Sequence, residues 1–148
     1  MCAFHGTQAR RFVLRKDAPV DSRPWGPHLW ACKPGLVATR HLLVVQVDMP
    51  PGTAHAFHRH PGREEVLWII DGQGELWVDR EKMLLGPGDS AFIPMDTVHG
   101  IYNDSDGLLR FLAVLSPAET DGPMLVDVQN DEPWRSLRAP SALRPGLR

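Results

Sequence analysis

Fourteen prolines and thirteen glycines break the chain so often that the stretches between them are too short for the helices of an α/β fold. Pro50-Pro51-Gly52, Pro61-Gly62, Asp71-Gly72-Gln73-Gly74, Gly86-Pro87-Gly88 and Asn103-Asp104-Ser105-Asp106-Gly107 supply the fixed or positive φ that tight reversals need. Between them lie runs rich in Val, Leu, Ile, Phe and Trp: 42–48, 56–60, 66–70, 75–78, 91–94 and 109–115. Short apolar runs separated by regular turns predict an all-β sandwich or barrel.

At 148 residues, with 43% hydrophobic and 23% charged side chains, the chain has the size and balance of one globular domain. A net charge of -2 and scattered Lys and Arg give no basic field for phosphates, which excludes nucleic acid as the expected partner. The longest apolar runs, 42–45 and 108–115, fall far short of a bilayer span, so no membrane segment is expected. Met1 to Arg11 lacks the apolar stretch and cleavage site of a secretory signal, and a cytoplasmic location is the expectation. Cys2 and Cys32 match no metal pattern and read as reduced.

The seven histidines are unevenly placed. His41, His55, His58 and His60 lie within twenty residues, and His99 follows a second turn-rich stretch. Strand side chains alternate, so His58 and His60 project to one side and can share an ion. The next strand opens with Glu64 and Glu65, either of which could return a carboxylate beside the imidazoles. Imidazoles plus one carboxylate suit Fe, Mn, Ni, Cu or Zn, and the lack of thiolates argues against a structural zinc cage. His55 has the opposite strand parity to His58 and is expected to cap a turn or line the mouth.

The segment from Gly52 to Gly72, G-T-A-H-A-F-H-R-H-P-G-R-E-E-V-L-W-I-I-D-G, resembles the first motif of the cupin superfamily. Gly88 to Asn103, G-D-S-A-F-I-P-M-D-T-V-H-G-I-Y-N, resembles the second, with Asp96 where that motif has glycine. Fifteen residues separate the two, as in small microbial cupins. The resemblance implies a cupin-type jelly-roll barrel, a double-stranded β-helix, and a metal held by His58, His60, Glu65 and His99. It selects Glu65 over Glu64. It also implies a barrel core over 41–116, an N-terminal extension over 1–40 whose strands pack on the barrel or a partner, and a partly flexible C-terminal extension over 117–148. A loose tail is expected from about residue 136.

Leu67 and Ile69 share the Glu65 face, which leaves Val66, Trp68 and Ile70 as an outer apolar face needing cover from Phe12 and Leu14 or from a second subunit. A homodimer is expected. Arg110, Trp77 and His55 are the candidate substrate contacts. Arg110 could hold a substrate carboxylate, or could face outward on an alternating strand. Three histidines and one carboxylate leave coordination positions open for a small-molecule ligand. The leading expectation is therefore a metal-dependent, Fe(II)-type dioxygenase, with one divalent ion per chain and Fe or Mn favoured. The alternatives are a non-catalytic cupin binding module and a cupin isomerase, decarboxylase or lyase.

Overall fold

The computed structural model describes residues 10–138. Cys2 and most of the expected loose tail lie outside them. Among the described residues the chain is almost wholly β. The strands are β1 (Val20–Asp21), β2 (His28–Cys32), β3 (Leu43–Met49), β4 (Ala54–Arg59), β5 (Glu64–Asp71), β6 (Gly74–Val78), β7 (Glu81–Leu85), β8 (Ser90–Ile93), β9 (His99–Tyr102), β10 (Leu109–Ser116) and β11 (Val126–Asp127). They form two antiparallel sheets, in the orders β1-β2-β3-β10-β5-β8 and β11-β4-β9-β6-β7. One short helix, α1 (Trp134–Leu137), follows. This is the jelly-roll barrel expected of the motifs. No helix among the described residues is long and apolar enough to cross a membrane.

Period-two alternation builds the interior. Leu43, Val45, Val47 and Met49 of β3 face inward, as do Leu67 and Ile69 of β5 and Leu109, Phe111, Ala113 and Leu115 of β10. On the second sheet the alternation splits neighbours between two cores. Leu76 and Ile101 join the barrel interior. Trp77 and Tyr102 turn the other way, against Phe57 and Trp134, where α1 caps them. The Arg138 guanidinium lies 3.8 Å over the Tyr102 ring and pairs with Asp104 at 2.8 Å. Arg138, within the expected loose tail, thus contacts the second core, while Ser136 and Leu137 are exposed.

The expected cover by Phe12 and Leu14 is not formed. Phe12 to Leu14 forms no strand, and Phe12 (83%) and Leu14 (56%) are exposed. Three apolar residues bracketed by Arg10, Arg11, Arg15 and Lys16 bury too little surface to offset the ordering of a strand. Further along, Trp30 lies in β2, which pairs with β3 from His28↔Val47 to Trp30↔Val45. The turn leading into β2 sits hard on the sheet. Gly26 has φ +121°, and a Cβ there would lie 2.1 Å from the Asp48 carbonyl oxygen. Phe12 and Leu14 therefore do not cover the outer face, where Trp68 (52%), Ile70 (42%) and Phe92 (56%) stay exposed.

Two residues of the second motif carry structural duties. Asp96 has φ +62°, the left-handed conformation glycine would supply, and its Oδ1 accepts the Gly62 N–H at 2.8 Å. Asn103 is fully buried; its Nδ2 donates to the Met49 and Gly107 carbonyls, each at 2.9 Å, and its Oδ1 accepts from Ser105. Asn103→Ala removes these partners together. It is expected to cost about 3 kcal/mol, read as a lower denaturant midpoint at unchanged slope. A loss below about 1 kcal/mol would show that the loop re-pairs without it.

Candidate metal centre

Strand pairing brings four side chains to one end of the barrel interior. β4 and β9 set His58 directly opposite His99, His60 follows the end of β4, and β5 supplies Glu65. All four are buried, and their ligand atoms lie within 4.8 Å of one another. Glu64 is exposed on the other face of β5.

The hydrogen bonds settle which way each imidazole is held. His58 Nδ1 lies 2.6 Å from the Ala56 carbonyl, His60 Nδ1 2.7 Å from that of Met124, and His99 Nδ1 2.9 Å from that of Thr97. A carbonyl only accepts, so each Nδ1 carries the proton and, in the neutral ring, each Nε2 presents a bare lone pair to the site. Glu65 Oε2 sits 2.7 Å from His99 Nε2 and 3.5 Å from His60 Nε2. Neither Glu65 Oε2 nor His99 Nε2 has a hydrogen-bond partner. Two acceptors at that separation repel unless a cation lies between them. Burial also pushes the His58 imidazole well below the ordinary histidine range, with its histidine neighbours adding to the effect. Burial lowers His60 as well, opposed by the charge of Glu65. Neutral imidazoles held by backbone carbonyls, with one carboxylate, fit a divalent transition metal.

His55 departs from its expected parity. The β4–β9 register shifts between His55 and His58, and this irregularity returns the His55 ring to the side of the cluster. It stacks on His58 with centroids 3.6 Å apart and planes 11° apart, and Trp25 stacks on it in turn at 4.0 Å and 6°. His55 Nε2 is buried without a partner. It is not one of the four clustered side chains, and His41 is exposed elsewhere.

The cluster opens into a cavity of about 390 Å³. Its walls are largely apolar, from Val45, Val47, Leu67 and Phe111 inside the barrel to Trp25 and Trp30 above them. Two expected substrate contacts lie elsewhere. Arg110 alternates with inward Phe111, faces out, and grips Asp48 through Nε and Nη2 at 2.7 and 2.8 Å. That pair holds the Asp48 carboxyl below its usual range. Trp77 is buried in the second core and donates Nε1–H to Glu75 at 2.7 Å.

The wall residues missed from sequence are Arg23, Trp25, His28 and Trp30, with Met124 and Leu125 from the far end of the chain. Alternation of His28, Trp30 and Cys32 was a usable signal for a strand, obscured by its flanking prolines. Nothing local marks Met124, whose part comes from a contact 64 residues away.

Comparison with known proteins places these features in a wider set. The cupin domain family model matches residues 45–115. The chain is 32% identical over 75 residues to quercetin 2,3-dioxygenase of Bacillus subtilis, covering 51% of this chain and 22% of the relative. It is 30% identical over 73 residues to an oxalate-binding protein of Thermotoga maritima, covering 49% and 60%. The chain thus spans less than two thirds of each of these relatives. Among solved structures, KdgF from Halomonas sp. superposes with a TM-score of 0.65 at 22% identity, over 76% of this chain and 97% of that one. Bacillus subtilis oxalate decarboxylase, described with Mn(II) centres, gives 0.65 at 20% identity, over 77% and 30%.

Proposed function

Because this chain belongs to the cupin superfamily and carries a complete His, His, Glu, His cluster, we propose that it is a metal-dependent, Fe(II)-type oxygenase of a small organic molecule. The observation that carries the reading is the cluster's position. Four protein ligands stand at one end of an apolar cavity, so an ion held there keeps positions open toward whatever fills it. Fe or Mn is the favoured ion, and the Mn(II) centres named for the oxalate decarboxylase support that choice.

When bound, such an ion supplies redox and Lewis-acid chemistry to a substrate and dioxygen brought side by side. The chain's own residues prepare the site. Backbone carbonyls of Ala56, Met124 and Thr97 fix each imidazole with Nε2 inward, so no reorientation is needed on loading. Glu65 contributes the one negative charge of the cluster. The largely apolar wall lowers the local dielectric, which strengthens the electrostatics beside the cluster.

The test is oxygen uptake by Fe(II)-loaded protein against a panel of organic acids and enols, beside His58→Ala. Uptake coupled to product, falling by more than about 100-fold in the variant, is the expected result. Ligand binding at the cluster with no uptake would favour the non-catalytic binding module, the reading the oxalate-binding relative supports.

We also propose that the chain is a homodimer joined through Trp68, Ile70 and Phe92, which Phe12 and Leu14 leave open. Light scattering is expected to show a dimer that Trp68→Glu converts to a monomer. A monomeric wild type at micromolar concentration would overturn this.

A further inference from the structure

We infer, resting on the metal reading above, that the molecule taken by this site is a ring-bearing organic anion. Its oxygen edge faces the histidine–glutamate cluster, and its rings lie against Trp25 and Trp30. Size is the first argument. At roughly 30 Å³ for each water-sized group, a cavity of about 390 Å³ accommodates about a dozen such groups. Oxalate, two joined carboxylates, would leave much of that space empty and its hydrocarbon wall without a partner.

The chemistry of the wall is the second argument. Away from the cluster the cavity is bounded mainly by aliphatic side chains, Phe111 and two indoles, with Arg23, His28 and His55 the polar exceptions. Both indole N–H groups are already engaged, Trp30 Nε1 donating to Asp21 at 2.8 Å and Trp25 Nε1 to His28 at 3.3 Å. The tryptophans therefore offer the cavity apolar ring surface. Trp25 is also held in place by its stack on His55, so a platform stands ready before any ligand arrives. The same wall holds His55 Nε2, a buried polar atom lacking a partner. A polar ring substituent would relieve that cost.

Charge is the third argument. A divalent ion among neutral imidazoles and one carboxylate leaves the cluster with net positive charge. Arg23, exposed at the rim, adds a further cation, and Glu65 is the one carboxylate on the wall. An anionic oxygen donor is the matching ligand.

The test uses 3-hydroxy-2-naphthoate and oxalate as probes of Zn-loaded and metal-free full-length protein, by calorimetry. The expected result is naphthoate binding at least about tenfold tighter than oxalate to the Zn form. Trp25→Ala is expected to weaken it about tenfold at unchanged Zn affinity, with recovery in Trp25→Phe. Unchanged Zn affinity shows that the variant is folded. Oxalate binding as tightly as naphthoate, or naphthoate indifferent to Trp25→Ala, would overturn the inference while leaving the metal reading intact. Failure of the wild type to take up Zn would sink the metal reading and the anionic half of this inference. Trp25-dependent naphthoate binding to metal-free protein would still uphold the ring-bearing half.

Discussion

Glu65→Ala, purified without chelator or affinity nickel, is expected to carry almost no metal, while wild type and Glu64→Ala each carry about one ion per chain by elemental analysis. Glu65 is the cluster's one anion, and removing it leaves three neutral rings to compensate a divalent charge in a buried site. Glu64 is exposed on the opposite face of β5, so its loss is a surface change.

The same variant separates binding from folding. Metal at about a thousand times its dissociation constant stabilises a folded site by about 4 kcal/mol, or roughly 10 °C in Tm for a chain of this size. That rise is expected in wild type and Glu64→Ala and absent in Glu65→Ala. Without metal, Glu65→Ala is expected to be no less stable than wild type. The carboxylate then keeps a buried oxygen without a hydrogen-bond partner, and its removal relieves that cost. Metal retained by Glu65→Ala at the wild-type level would show that the four side chains are not the site.

How much of this could be read beforehand depends on the range of the interactions concerned. The barrel strands were legible because alternation and turn chemistry are local. β3, β5 and β10 each fall within a residue or two of their apolar runs. The spacing that brings His58, His60, Glu65 and His99 together is likewise written in short motifs. Three features were not legible. A register shift within β4 reverses the parity expected for His55, and nothing in the run A-H-A-F-H announces it. Arg110 reads as a pocket cation only until Asp48, 62 residues away, is known to sit beside it. The wall made by Trp25, Trp30, Met124 and Leu125 comes from segments flanking the motifs, and those segments are positioned by sheet pairing rather than by their own pattern.

The second large effect concerns acid. Burial, with neighbouring histidines adding to it, holds the imidazoles of His55 and His58 well below the ordinary histidine range, and burial lowers His60 too. An unfolded chain protonates these rings as pH falls through about 6.5, whereas the metal-free folded chain keeps them neutral to lower pH. The unfolded state therefore binds more protons, and stability falls as pH drops below about 6.5 until the folded-state values are reached. Each such ring contributes at most about 1.4 kcal/mol per pH unit, which caps the three together at about 4 kcal/mol per unit. Against a typical total of about 5–15 kcal/mol, any slope of that order makes metal-free protein measurably less stable below neutrality. Bound metal opposes this until protons displace it from the same nitrogens. Urea unfolding of chelator-treated protein between pH 7.5 and 5.5 measures the slope. His55→Phe keeps a ring in the stack and is expected to remove about a third of it. A stability that stays flat across that interval would mean the three imidazoles are not held neutral, and that the cluster's lone pairs are not bare in the metal-free protein.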